Sequence, residues 1–171
     1  MRLNRAIILL KATSRHICSC HGKATGGNLF VAHLDSGASN HMTHNIELFD
    51  PVSFKTLSKP IPISLGDDSE IFATGKGMLR LLFNVNGKQK EGCFKDVLFI
   101  PDLKVTLLSV GQSACLPHCK VVFDNNTCEY INKDTKEIMA RAFATDDSNL
   151  YTLDMTPVTQ KVVANLTSSS F

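Results

Sequence analysis

The sequence predicts an all-β domain, a small antiparallel barrel, closed or half-closed, with at most one or two short helices. From residue 29 onward the hydrophobic residues come in short runs rich in Val, Ile, Phe and Leu, at intervals typical of a sandwich or barrel. Gly, Pro, Asn and Asp separate these runs, and signals for helices are few. The length of 171 residues allows one compact domain with tails, and therefore one active centre.

Ten runs are predicted to be strands. In chain order they are LFVAHL, IPISL, EIFA, MLRLLFNV, GCFKDVLFI, VTLLSV, CKVVF, CEYI, EIMARAF and LYTL. Asn86-Gly87 predicts a hairpin after the fourth run, because both residues tolerate positive φ, and residues 124–126 separate CKVVF from CEYI in a similar way. The best helix candidate is a short turn at residues 44–50, capped by Asn45 and ended by Pro51.

Three segments are predicted: a basic N-terminal extension at residues 1–28, the barrel at 29–154, and a linker or truncated tail at 155–171. Residues 1–33 have no acidic residue and carry five Lys or Arg around the apolar patch AIILL. This composition resembles that of a mitochondrial presequence. We expect a cytoplasmic protein, with import into mitochondria through residues 1–33 as the alternative.

Composition argues against several classes of function. The net charge of +2 is too small to indicate direct nucleic-acid binding, which usually needs clustered Lys and Arg. No stretch approaches the roughly 20 apolar residues of a membrane span, so we expect no membrane association. The six cysteines are expected to be reduced, mostly buried thiols, since no segment resembles a secretory signal.

The stretch Leu34-Asp35-Ser36-Gly37-Ala38 carries the chemistry that the sequence offers. An apolar strand that ends in Asp-Ser/Thr-Gly-Ala is the catalytic loop pattern of aspartic proteases. Gly37 permits a tight loop, the Ser36 hydroxyl can bridge to neighbouring backbone, and Asp35 supplies a carboxylate. The alternative is an ordinary Asx or Ser turn, which the same three residues also make.

Aspartic protease chemistry needs two carboxylates that share a proton, one to activate water and one to polarise the scissile carbonyl. The sequence has one Asp-Ser-Gly, at residues 35–37. A catalytic role for Asp35 therefore predicts that a second subunit supplies the other carboxylate about a twofold axis.

Four blocks, in order, resemble the protease region of the Pol polyprotein of copia-type retrotransposons, including the Tnt-type plant elements. They are LDSGASNHMT followed by Phe49, ISLGDDSEIFATGKGML at residues 63–79, KDVLFIPDLKVTLLSV at 95–110, and LYTL at 150–153. The resemblance covers residues 34–153 and implies a retropepsin-like β barrel. It also implies an endopeptidase that needs no metal or cofactor and cleaves an extended Gag-Pol polyprotein as a homodimer.

The resemblance also implies roles for individual residues. Asp35 is the catalytic aspartate, with Ser36 and Gly37 shaping its loop. The remaining implied residues are the substrate flap, Gly66, Asp67 and Asp68, and the support of the catalytic loop, Ala38, Leu107 and Leu108. The sequence departs from the family pattern at Asp67-Asp68, where Asp-Gly is common, and at Thr106, where Asn is usual.

Other clusters of polar residues have simpler interpretations. Asp67-Asp68 is predicted to be a pair of turn residues rather than a second catalytic carboxylate. Cys115, His118 and Cys119 lack a fourth ligand for tetrahedral zinc, and residues 18–21 lack the second pair that a zinc knuckle needs. His41 and His44 are expected to be surface or loop-packing residues, and Gly75-Lys76-Gly77 a turn or strand kink.

Two functions remain open from the sequence. The first is a retropepsin-like aspartic endopeptidase subunit that is active as a homodimer on a polypeptide substrate. The alternative is a catalytically inactive β-barrel remnant or binding module of a retrotransposon Pol polyprotein.

Overall fold

A computed structural model of the chain describes residues 30–145 and 150–158. Within these residues lie eleven strands, one short α-helix and one turn of 3-10 helix, so the prediction of an all-β domain with at most two short helices is confirmed. The strands are β1 Ala32–Asp35, β2 Met42–Thr43, β3 Lys55–Ser64, β4 Glu70–Val85, β5 Lys88–Phe99, β6 Thr106–Ser109, β7 Cys119–Asp124, β8 Thr127–Asn132, β9 Ile138–Ala144, β10 Tyr151–Leu153 and β11 Met155–Pro157. The 3-10 turn is Ile46–Leu48, and helix α1 is Val110–Ala114.

The described strands form a single sheet that is not closed. Its order is β11-β4-β5-β2-β6-β1-β10-β9-β8-β7, and β3 pairs with the first half of β4. The prediction of a wholly antiparallel sheet is wrong at two places, because β1 pairs in parallel with β6 and β2 in parallel with β5. The long chain between β1 and β6 makes this parallel pairing possible.

Strand β4 joins two runs that the sequence had separated. Alternate residues along its 16 positions are buried, as expected for a strand with one face toward the core. Gly75 and Gly77 lie within the strand rather than in a turn, and the pairing with β5 is irregular just after Gly77. A Cβ at Gly75 would lie 2.5 Å from the ring of Phe54, so the glycine lets that ring cover the strand.

The turns follow their predicted chemistry. Asn86 and Gly87 both have positive φ, 52° and 75°, and connect β4 to β5 as a tight hairpin. Asn125, with φ of 41°, is at the corresponding position between β7 and β8. The side chain of Asn45 accepts a hydrogen bond from the backbone N–H of Glu47 at 2.9 Å, so the predicted cap is present, on a 3-10 turn.

The folded chain continues past the predicted end of the barrel at residue 154. Strand β11 pairs with β4, and its first residue, Met155, is only 7% exposed. A three-residue strand is too short to show an alternating pattern, so it could not be predicted from the sequence. The predicted extension at residues 1–28 and most of the predicted tail lie outside the described residues. In the part of the chain that is described, no helix is long and apolar enough to cross a membrane.

The core has two clusters that meet at β6, whose four residues are all buried. Leu108 is 0% exposed and faces the larger cluster, with Leu79, Leu81 and Val97. Leu107 faces the smaller cluster, which includes Ala38 and Ile63. Strand β6 is therefore packed on both faces, and it carries the residues next to the loop after β1.

Replacement of Leu108 by Ala should lower the free energy of unfolding by about 2–5 kcal/mol, because it leaves a cavity in a core that is packed from both sides. Val52→Ala, at a residue 92% exposed, is the matched control and should change it by less than about 0.5 kcal/mol. Urea unfolding of both variants measures the difference. Equal effects of the two substitutions would contradict this account of the core.

Candidate active site

The candidate site begins where β1 ends. Asp35 is the last residue of β1 and lies opposite Ser109, the last residue of β6. One carboxylate oxygen, Oδ1, accepts hydrogen bonds from the backbone N–H of Gly37 at 2.7 Å and of Ala38 at 3.2 Å. Ser36 and Gly37 are exposed, and Asp35 is partly buried. The loop thus holds the carboxylate in one orientation at the surface of the sheet.

Ser109, rather than Ser36, bridges the loop to the rest of the fold. The predicted bond from the Ser36 hydroxyl to neighbouring backbone is not present among the described residues. Instead, the buried Ser109 hydroxyl donates to the carbonyl of Ala38 at 2.6 Å and accepts from the backbone N–H of Gln112 at 3.0 Å. The second bond also caps α1. The Ser109 side chain therefore connects the start of α1 to the Asp35 loop.

His41 completes this support from the other side. Its ring Nδ1 accepts a hydrogen bond from the backbone N–H of Ser109 at 3.0 Å, and the backbone N–H of His41 donates to the side-chain oxygen of Gln112 at 2.8 Å. The ring packs edge-on against Phe94, with centroids 4.8 Å apart. Burial lowers the pKa of His41 to about 4, so the ring is neutral and its proton is on Nε2. His44, by contrast, is exposed.

The residues implied as loop support are all buried. Ala38 and Leu107 are both buried in the smaller core cluster, which also contains Met42. Leu108 is buried on the opposite face of β6. The apolar contacts of β6 and the hydrogen bonds of Ser109 therefore hold the same loop.

The residues implied as the flap form the tip of the β3–β4 hairpin. Asp68 has φ of 63°, so the chain does require a left-handed residue at the position where the family commonly has Gly. Asp67 accepts hydrogen bonds from the Ser69 hydroxyl at 2.6 Å and the Ser69 backbone at 3.1 Å, and these bonds lower its pKa. Ile63, in β3 close to the tip of the hairpin, packs in the same cluster as Ala38.

The Asp67 carboxylate accepts hydrogen bonds from Ser69 within the same turn, as expected for a turn residue rather than a second catalytic carboxylate. No second carboxylate is hydrogen-bonded to Asp35 in the part of the chain that is described. A single chain therefore presents one carboxylate at this loop.

The residues Cys115, His118 and Cys119 are not brought together as metal ligands. Cys119 is buried and Cys115 is exposed, while the His118 ring bonds to Asp134. Among the described residues there is no group of three His, Cys, Asp or Glu side chains placed to hold a metal ion. Residues 18–21 lie outside the described part.

Comparison with known protein families finds a match that includes the candidate site. Residues 32–116 match the family model described as the Pol polyprotein, beta-barrel domain. No curated protein and no solved structure matches the chain. The matched residues run from β1 to just beyond α1 and include the Asp35 loop, the β3–β4 hairpin and β6. This part of the chain is therefore indicated to be a Pol polyprotein domain.

The neutral state of His41 predicts how stability depends on pH. The His41 pKa is near 6.5 in the unfolded chain and about 4 in the folded chain, so the unfolded chain binds more protons between these values. The free energy of unfolding should therefore be highest above pH 6.5 and fall by up to about 3 kcal/mol as the pH approaches 4.

Urea unfolding at a series of pH values measures this dependence. His41→Asn keeps an acceptor near the Ser109 N–H without a titrating ring, so its dependence between pH 6.5 and 5 should be flatter than that of the unsubstituted chain. His44→Asn, at the exposed neighbour, is the control and should leave the dependence unchanged. If the free energy of unfolding changed with pH to the same extent in the unsubstituted chain and in His41→Asn, the low pKa assigned to His41 would be wrong.

Proposed function

We propose that the chain is one subunit of a retropepsin-like aspartic endopeptidase of the copia type, active as a homodimer. The observation that carries the proposal is the Asp35 carboxylate, held at the end of β1 by N–H groups of its own loop and opposite Ser109 of a parallel strand. Its sequence pattern is that of an aspartic protease loop, and it lies within the residues that match a Pol polyprotein domain.

The chemistry requires a second Asp35 from a second copy of the chain. Two such carboxylates a few ångströms apart cannot both ionise, so one keeps a proton. The ionised member takes a proton from water, and the water oxygen bonds to the scissile carbonyl carbon while the protonated member gives its proton to the carbonyl oxygen. The tetrahedral intermediate then breaks its C–N bond: the carboxyl that took the water proton gives it to the amide nitrogen, and a hydroxyl of the intermediate returns a proton to the other carboxylate as the carbonyl of the acid product forms. The dyad again holds one proton.

The substrate in this proposal is an extended polypeptide, a Gag-Pol polyprotein. The tip of the β3–β4 hairpin, Gly66 to Asp68, closes over the chain to be cleaved. The end of β3 next to the hairpin tip and the Asp35 loop share one core cluster through Ile63 and Ala38, which supports the two acting on one substrate. An extended peptide is bound in such a cleft by hydrogen bonds to its main chain.

A binding module without peptidase activity is the second candidate. It is favoured by the form of the Asp35 loop, because the two bonds that Oδ1 accepts are those of an ordinary Asx turn. Dimer-dependent cleavage distinguishes the two candidates, since only the peptidase requires it.

The decisive substitution is Asp35→Asn, tested on an unfolded protein substrate such as reduced, alkylated casein at mildly acidic pH. Cleavage should fall by at least about a hundredfold, because the amide can neither share a proton nor activate water. Asp124→Asn is the matched control: Asp124 is exposed in the β7–β8 turn, and its loss should leave cleavage unchanged.

Dimer dependence is measured in the same assay. Cleavage per chain should rise with protein concentration, and an equal mixture of the unsubstituted chain and Asp35→Asn should retain about a quarter of the activity at the same total concentration, because hybrid dimers are inactive. A mixture that retains half would show that each chain acts alone. Folded chains that never cleave the substrate would favour the binding module.

A further inference from the structure

A cavity of about 520 Å³ lies beside His41. One wall is formed by residues 90–96 of β5, and the other by parts of α1, β8 and β9. The size is that of pockets that bind small molecules, and the lining is mainly apolar, with Phe83, Met139 and Ala140 among its side chains. Asp35, Ser36 and Gly37 do not line it, whereas His41 and Gln112, which support their loop, do. The cavity therefore adjoins the candidate active site but does not include its carboxylate.

Most of β5 has a neighbouring strand on one side only. Residues 88–94 and 97–99 of β5 pair with β4 on one side, while β2 pairs only with Leu98 and Phe99 on the other. The free side of β5 therefore faces the cavity instead of a neighbouring strand.

The Tyr130 hydroxyl is a buried donor that lacks a partner. Tyr130 is 4% exposed and lines the cavity, and its hydroxyl makes no hydrogen bond within the described residues. Ser113 lies close to it, but the Ser113 hydroxyl donates to the Ser109 carbonyl at 3.0 Å and makes no well-directed bond to Tyr130. Burial raises the pKa of Tyr130, so the hydroxyl keeps its proton. A buried polar group without a partner is destabilising unless a ligand or water satisfies it.

The other polar groups of the lining indicate the charge of a ligand. The His41 ring is neutral and carries its proton on Nε2, because Nδ1 accepts from Ser109. The three acidic residues of the lining are each paired with a base: Glu137 with Lys90, Glu91 with Arg80, and Asp96 with Lys76. Lys95 also lines the cavity, where it is exposed to solvent. The buried side chains of the lining, among them His41, Phe94, Ser113 and Tyr130, offer neutral donors among apolar groups, which disfavours burial of a charged group there.

We propose that this cavity is a binding site for an uncharged, mostly apolar molecule with a carbonyl oxygen that accepts a hydrogen bond from the Tyr130 hydroxyl. The apolar body of the ligand fills the space between β5 and β9. The site is independent of peptidase activity, so its test does not rely on Asp35.

The probes are cyclohexyl methyl ketone, which is uncharged and has one carbonyl, and cyclohexanecarboxylate, which has nearly the same shape and a negative charge. Binding to the full chain is measured by ligand-observed NMR. The chain has two tyrosines and no tryptophan, so Tyr130 is the only fluorophore of this kind in the Tyr151→Phe variant. Its emission then reports occupancy of the cavity directly.

Tyr130→Phe should weaken binding of the ketone by about three- to tenfold, because one hydrogen bond is lost. The same substitution should not destabilise the free chain, since it removes a buried hydroxyl that has no partner. Tyr151→Phe is the matched control: that hydroxyl bonds to the Asn125 carbonyl outside the cavity, and ketone binding should be unchanged.

Met139→Trp places a larger side chain in the cavity and should abolish binding without use of Tyr130. The proposal is overturned if the ketone leaves the Tyr130 emission of Tyr151→Phe unchanged. It is also overturned if Tyr130→Phe or Met139→Trp binds the ketone as tightly as the unsubstituted chain, or if the carboxylate binds as tightly as the ketone.

Discussion

The parallel pairing of β1 with β6 is the constraint on which the candidate site depends. Parallel strands bring their carboxyl ends to the same edge of a sheet, so Asp35 and Ser109 become neighbours although they are far apart in the chain. Ser109 then uses its amide, its hydroxyl and its carbonyl, bonding to His41, Ala38 and Ser113. The orientation of the loop thus results from contacts across the fold as well as from the turn that Asp35 makes with its own backbone.

The sequence predicted those parts of the fold that have a local signal. The Asn86-Gly87 turn depends on residues that are adjacent in the chain, and it was found where expected. The runs EIFA and MLRLLFNV were also predicted as strands, although the structure joins them into one strand, β4. Strand β2 has two residues and β11 has three, so neither is long enough to show a period. Helix α1 was missed for a related reason, because its first residue ends the apolar run VTLLSV, which is typical of a strand.

The residues of the candidate site also differ in whether a local sequence pattern indicates them. Asp35 could be singled out because an apolar strand, an acid, a Ser and a Gly follow one another in sequence. The supporting roles of His41 and Ser109 have no such pattern, since each depends on partners from distant segments. Packing near the loop was expected for His41, but not its hydrogen bond to Ser109 or its low pKa, because burial against Phe94 arises only when the sheet forms.

The burial of His41 connects the support of the loop with the chemistry proposed for it. A dyad of carboxylates needs one proton, which low pH favours, whereas the Ser109 N–H needs an unprotonated Nδ1 on His41, which high pH favours. A histidine with the ordinary pKa of about 6.5 would be largely protonated at the mildly acidic pH that suits such a dyad. Because burial lowers the pKa of His41 to about 4, the loop keeps its hydrogen bond through that range. The burial of this ring, in part against Phe94, therefore lets a loop that is supported by a histidine present a carboxylate for the acid-dependent chemistry proposed.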